Sequence, residues 1–243
     1  MTDQDRRGAL GLVAGLGLAA PALLLAGCSK RDRASKDDQE GGEGRVTASE
    51  DLMREHGVLR RVLIVYRETA PKLAAGPAGV DAGAIGRAAA LFRSFGERYH
   101  EQLLEEQHIF PIVRKAGGEG AKLVDTLLAQ HARGRMITDF ILDRTKAGRV
   151  GSDDHEALAA AMTAFSRMYE AHTAREDTVI FPAFKQALGP KAYDELGEQF
   201  EEIEHREFGG DGFDIALNKV AEIERALGVA DLSGFTAAAP AGA

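Results

Sequence analysis

The sequence predicts an all-α protein: an antiparallel, up-down bundle of four long helices followed by a C-terminal helical extension. Three observations carry that expectation. Apolar residues recur at helical spacing, as at Leu52, Leu59, Val62, Leu63 and Tyr66, and no run sustains the alternation of a β-strand. The composition is helix-rich, with abundant Ala, Leu, Glu and Arg, no tryptophan, and aromatics at 6% of 243 residues. The chain also echoes itself. Glu105-Glu106 and Glu176-Asp177 are each followed by x-x-Ile-Phe-Pro, at an offset of 71 residues. His56 and His131, each with arginine at the fourth position onward (Arg60, Arg135), stand 75 apart. Helices one and three therefore correspond, as do two and four, which is the pattern of two helix pairs related by a pseudo-twofold axis.

The elements follow in order. Thr47-Ala48-Ser49-Glu50 has capping-box form and Glu50-Asp51 suit the positive end of a helix, so the first helix starts near Thr47 to Ser49. Pro71 and the Gly76-Pro77-Ala78-Gly79 cluster are expected to end it. A second helix runs from about Ala82 to Lys115, closed by Gly117-Gly118. A third covers about Glu119 to Lys146. Ser152 with Asp153-Asp154 caps a fourth reaching about Leu188. Pro190 suits a first helical position, opening a stretch to His205, and a last helix spans about Phe213 to Leu227. Residues 47–188 thus form the bundle, 189–229 the extension and 230–243 a small-residue tail.

The first 46 residues read differently. Arg6-Arg7 precede a glycine-rich apolar stretch, Gly8 to Leu25, too short for a permanent span. It ends in Leu25-Ala26-Gly27-Cys28, which looks like a bacterial lipobox. Residues 1–28 are expected to be an export signal whose Cys28 is lipidated, with Arg6-Arg7 resembling a twin-arginine signal. Residues 29–46 read as a charged, flexible tether. The expected location is the bacterial cell envelope, on a membrane-anchored lipoprotein facing the periplasm or exterior. As the single cysteine, Cys28 excludes an intramolecular disulfide and a thiolate metal site within one chain. A net charge of −8 without a basic, aromatic-interleaved cluster argues against nucleic acid.

Chemistry concentrates in histidines and carboxylates. His56, His100, His131, His172 and His205 fall on separate helical stretches. Glu176 follows His172 by four residues, about 40° around a helix, so both can reach one metal. Glu105 follows His100 by five, about 140° around, which is a looser pairing. Glu101 competes, because Glu101, Glu105 and His108 form a straighter stripe. Imidazole plus carboxylate is the donor set of a bridged iron pair, and manganese or zinc fit the same ligand types.

Glu55-His56, His100-Glu101 with Glu105-Glu106 and Phe110-Pro111, Gln130-His131, and His172 with Glu176-Asp177 and Phe181-Pro182 together resemble the hemerythrin-like (HHE cation-binding) domain, from about Ser49 to Leu188. The resemblance implies a four-helix bundle holding two non-haem iron ions, with histidines as terminal ligands and two bridging carboxylates. Mapped here, the metal residues are His56, His100, Glu105, His131, His172 and Glu176. The family's oxygen carriers have a further histidine four residues after the third-helix one, where this chain has Arg135. His205 is the candidate for that fifth histidine, and Glu101, His108 and Arg135 are alternative ligands or supports. Arg135 puts reversible oxygen carriage in doubt.

A competing scheme uses the Glu-x-x-His spacings Glu105/His108 and Glu202/His205 in a ferritin-like carboxylate site, but leaves His56, His131 and His172 unused. His155 is expected at the surface. Phe110, Pro111, Phe181 and Pro182 are expected to pack the bundle end and stop the helices rather than touch a ligand. The expected function is binding of oxygen or a related small molecule for sensing, scavenging or iron handling, without catalysis. A di-iron oxidoreductase turning over peroxide or oxygen is the alternative, and a structural bundle without functional metal is the third.

Overall fold

A computed structural model of the chain describes residues 46–76 and 79–242. The expected export signal, Cys28 and most of the expected tether lie outside the described residues. The rest is all-α, with no strand among the described residues.

The first rod is α1 (Ala48–Ala75). Thr47 and Glu50 cap it reciprocally: Thr47 N–H donates to Glu50 Oε2 at 2.9 Å and Glu50 N–H to Thr47 Oγ1 at 3.4 Å. α1 ends at Gly76, the first residue of the expected glycine cluster, but contrary to expectation it runs through Pro71. Pro71 is exposed, so the carbonyl it deprives of a partner can be hydrated. The second rod joins α2 (Ala82–Leu91), a π-helical stretch (Phe92–Ile109) and α3 (Phe110–Ala116). The third is α4 (Gly118–Thr145). The fourth joins α5 (His155–Arg175), a second π-helical turn (Glu176–Ile180) and α6 (Phe181–Ala187). A 3₁₀ turn, Ser152–Asp154, leads into α5, and Ser152 gives its hydroxyl to Asp153 instead of capping the helix.

Neighbouring rods are antiparallel. Between the second and third rods Arg93 meets Asp139, Glu97 meets Thr138, Glu106 meets His131, and Arg114 meets Asp125, in opposite chain order. Between α1 and the fourth rod Arg60 meets Asp177 and Arg67 meets Glu170. This is the expected antiparallel, up-down bundle. Tyr66, Phe92, Phe165 and Tyr169 fill one part of its interior edge to face, with Phe92 and Phe165 centroids 4.7 Å apart.

The extension is integral to the packing. In α7 (Pro190–Phe208) Pro190 sits in the first turn as expected, and Tyr193 Oη accepts from Ser49 N–H at 2.7 Å, pinning α7 to the start of α1. Gly209 closes α7 in the left-handed region, φ 72°, its N–H on the carbonyl of His205. The last helix, α8 (Gly212–Leu227), packs on α1 and α2, and Glu224 accepts from Arg61 at two oxygens.

One buried acid stands apart from these contacts. Glu97 is 1% exposed, accepts from Thr138 Oγ1 at 2.5 Å and lies 2.9 Å from Arg93 Nε. Burial nonetheless raises its carboxyl to about 7. Between its unfolded value and 7 the folded chain therefore binds the extra proton, and stability falls as pH rises through that window. Glu97→Gln should accordingly raise the unfolding free energy at pH 8 by about 1–3 kcal/mol, and change it little at pH 4. A pH-independent difference in denaturant titrations would contradict this.

Candidate metal centre

Four histidines and two glutamates meet inside the bundle, all at most 3% exposed. Glu105 Oε1 lies 3.5 Å from His100 Nε2, and Glu105 Oε2 lies 3.4 Å from His131 Nε2. Glu176 Oε1 lies 2.8 Å from His172 Nε2, and Glu176 Oε2 lies 3.5 Å from His56 Nε2. Each carboxylate thus offers one oxygen to a His56/His100 half and one to a His131/His172 half. The two halves are the pseudo-twofold of the sequence repeat, made physical.

The five-residue spacing of His100 and Glu105 is reconciled by winding. Across Phe92–Ile109 the backbone closes i→i−5 bonds, ending with Phe110 N–H on the carbonyl of Glu105. In that wider turn residue i+5 takes the near-neighbour place that i+4 has in an α-helix. The fourth rod keeps α-geometry between His172 and Glu176, where four residues suffice, and widens only afterward, with Phe181 N–H on the carbonyl of Glu176. Pro111 and Pro182 follow these wide turns and do not stop the helices, which continue as α3 and α6. Both prolines are exposed. The shared Phe-Pro therefore marks the end of a widened turn just past each glutamate. The phenylalanines also face the centre. Phe110 stacks on His131 at 5.5 Å and 20°, and Phe181 on His56 at 5.3 Å and 27°.

A second layer fixes every ring. His56 Nδ1 lies 2.7 Å from Asp177 Oδ1 and His100 Nδ1 lies 2.5 Å from Glu55 Oε2. His131 Nδ1 lies 3.0 Å from Glu106 Oε1 and His172 Nδ1 lies 2.8 Å from Gln130 Oε1. These oxygens can only accept, so in each ring Nδ1 carries the proton and Nε2 faces the glutamates. A third layer holds the acceptors: Tyr99 donates to Glu55 at 3.0 Å, Arg135 to Glu106 at 2.9 Å, and Arg60 to Asp177. Arg60 and Arg135, each four residues past its histidine, do the same work.

The donor chemistry fits a cation. With Nδ1 protonated, each Nε2 lone pair points at carboxylate oxygens, and lone pairs repel unless positive charge lies between them. Both oxygens of Glu105 and of Glu176, and Nε2 of His100, are buried without hydrogen-bond partners. In the metal-free chain protons supply the charge. Burial opposes a charged imidazole, but Glu101, Glu105 and Glu106 outweigh it and lift His131 to about 10. Glu105 and Glu55 likewise lift His100 well above its usual range. Burial also opposes ionised Glu176, and His172 and His56 outweigh it to hold that carboxyl well below normal. A divalent cation can take the place of these protons.

The remaining candidates fall outside this core. His205 is exposed on α7 and joins none of the donor clusters among the described residues, so it does not supply a fifth imidazole; its position beyond the fourth rod leaves it on the surface face of an added helix. His108 is half-buried, 5.7 Å from the Phe200 ring, which removes the ferritin-like scheme. His155 is half-buried against the Val150 carbonyl, not free at the surface. Glu101 is buried but serves as a support: it accepts from Tyr169 Oη at 2.6 Å and from Arg135 at 3.2 Å. It groups with Glu106 and His131 as possible donors, but the Arg135 guanidinium already supplies a cation there. Arg135 is thus a support and not a ligand. Sequence reasoning missed the supporting roles of Glu55, Glu106, Gln130, Asp177 and Arg60, although each sits in a quoted motif beside a ligand candidate.

Comparison with known proteins gives the same picture. The family model described as "Hemerythrin HHE cation binding domain" matches residues 47–184. Two uncharacterized proteins, one from Mycobacterium bovis and one from Mycobacterium tuberculosis, are 43% identical over 226 residues, covering 90% of this chain and 86% of theirs. The "Iron-sulfur cluster repair protein YtfE" of Escherichia coli O157:H7 is 30% identical over 100 residues, 35% of this chain and 46% of that protein. No solved structure gives a significant match.

Proposed function

The chain belongs to the hemerythrin HHE cation-binding family, and on that premise we propose that it holds two iron ions and presents them to dioxygen or a related small molecule such as nitric oxide or peroxide. The observation that carries the reading is the sharing of Glu105 and Glu176 between the two histidine pairs, one oxygen to each side. His56 and His100 would hold one ion, His131 and His172 the other. When bound, the pair supplies redox and coordination chemistry to the small molecule.

The chain's own residues do the rest. Phe110 and Phe181 shield the imidazoles from water, and Asp177, Glu55, Glu106 and Gln130 fix the rings. Arg135 stands where the family's oxygen carriers have a fifth histidine, and it is engaged by Glu106 and Glu101. The replacement of that histidine by arginine favours a second reading, turnover of peroxide or oxygen, over simple carriage. The donor types also suit manganese or zinc.

The test is anaerobic loading with ferrous iron followed by oxygen. A spectrum that reverses on removing oxygen means binding, and rapid bleaching with product formation means turnover. Failure to take up iron would sink both.

The Arg6-Arg7 signal and the Leu25-to-Cys28 lipobox support a lipid-anchored place in the bacterial cell envelope. No helix among the described residues is long and apolar enough to cross a membrane. Cys28→Ser should move the protein from the membrane fraction to the soluble one; an unchanged distribution would contradict the anchor.

A further inference from the structure

Among the groups that accept from the imidazole Nδ1 atoms, the pseudo-twofold is broken at one pair. Glu55, which precedes His56, reaches to the second rod and accepts from His100 Nδ1 at 2.5 Å. Its counterpart Gln130, which precedes His131, reaches to the fourth rod and accepts from His172 Nδ1 at 2.8 Å. His56, His100 and His131 thus give their protons to carboxylates, and His172 gives its proton to an amide. The halves also differ in winding, with five residues from His100 to Glu105 and four from His172 to Glu176, but the outer ion pairs match. Asp177 and Glu106 are each paired with an arginine, Arg60 and Arg135. Glu101, 4.0 Å from His131 Nδ1, is engaged by Tyr169 and Arg135.

A carboxylate accepting the Nδ1 proton makes Nε2 more basic and adds negative charge behind the ligand; an amide does less of the first and none of the second. We propose that the two cation positions are unequal by construction. The His56/His100 position binds tightly and fills first, and the His131/His172 position is the weaker and exchangeable one. The inference rests on the two-cation reading above. It makes the His131/His172 ion the one that is lost and replaced.

Titration of the metal-free full chain with cobalt(II), followed by calorimetry and visible absorption, tests it. Two steps are expected, about tenfold or more apart. Gln130→Glu should tighten the weaker step about tenfold and leave the tighter one in place; Glu55→Gln should weaken the tighter step by a similar factor. Both exchanges are near-isosteric, and circular dichroism checks that each variant folds. Two steps of equal affinity, or a weaker step that ignores Gln130→Glu, overturn the inference and leave the two-cation reading standing. Uptake of one equivalent overturns the two-cation reading. That single ion should then respond to Glu55→Gln and not to Gln130→Glu, and the reverse overturns the inference as well.

Discussion

Replacing Glu105 by glutamine is expected to empty both halves of the centre at once. Glu105 is buried and places one oxygen 3.5 Å from His100 Nε2 and the other 3.4 Å from His131 Nε2. Glutamine keeps the volume but removes the negative charge and turns one of the two oxygens into an N–H₂ donor, which cannot ligate. Supporting residues typically cost 10–100-fold in metal affinity when lost, so a shared ligand should cost at least about 100-fold at each position. Metal content measured on purified protein should fall from two ions per chain to below one. His100→Ala, which touches one half, should leave about one. A Glu105→Gln protein that retains its full complement would show that the carboxylate is not shared.

The second large effect lies one layer out, at Gly134. A Cβ built there would stand 2.0 Å from Tyr169 Oη and 2.8 Å from its Cζ, distances no real contact tolerates. Tyr169 cannot retreat. Its ring is buried, 4.8 Å from Phe92 and 4.6 Å from Phe165, and its hydroxyl is tied to Glu101 at 2.6 Å. Alanine's better helix propensity would favour the variant by about 1 kcal/mol, while overpacking costs about 1–3 kcal/mol and occasionally more. Given the severity of the overlap, Gly134→Ala should destabilise the fold by about 2 kcal/mol net, the upper end of that difference, read in a denaturant titration. Adding Tyr169→Phe removes the closest atom and should recover part of the loss. A stabilised Gly134→Ala protein would mean that Tyr169 does not sit against α4.

Much of this was written in the chain. The helical spacing of the apolar residues, the capping box at Thr47 and the glycines after each rod give the bundle nearly to its boundaries. Six of the seven proposed metal residues converge. What failed did so for nameable reasons. Pro71, Pro111 and Pro182 read as helix stops, because proline removes a hydrogen bond, yet each lies exposed where water can take the orphaned carbonyl. The five-residue gap from His100 to Glu105 looked slack because the angle was reckoned on α-winding, and no local signal announced a π-helical stretch except the Ile-Phe-Pro repeat. His205 completes a count of five imidazoles in the sequence, but it lies exposed on α7, beyond the four rods. Arg135 looked like an intruder, although its counterpart Arg60 in the repeat already indicated a shared, supporting role.

The central claim is that cations sit between the two shared carboxylates. It is tested most directly by an anomalous difference map from crystals of the iron-loaded protein. The expected result is two peaks about 3.5–4 Å apart, flanked by Glu105 and Glu176, one against Nε2 of His56 and His100 and the other against Nε2 of His131 and His172. Iron found elsewhere, or no peak among these six side chains, would contradict it.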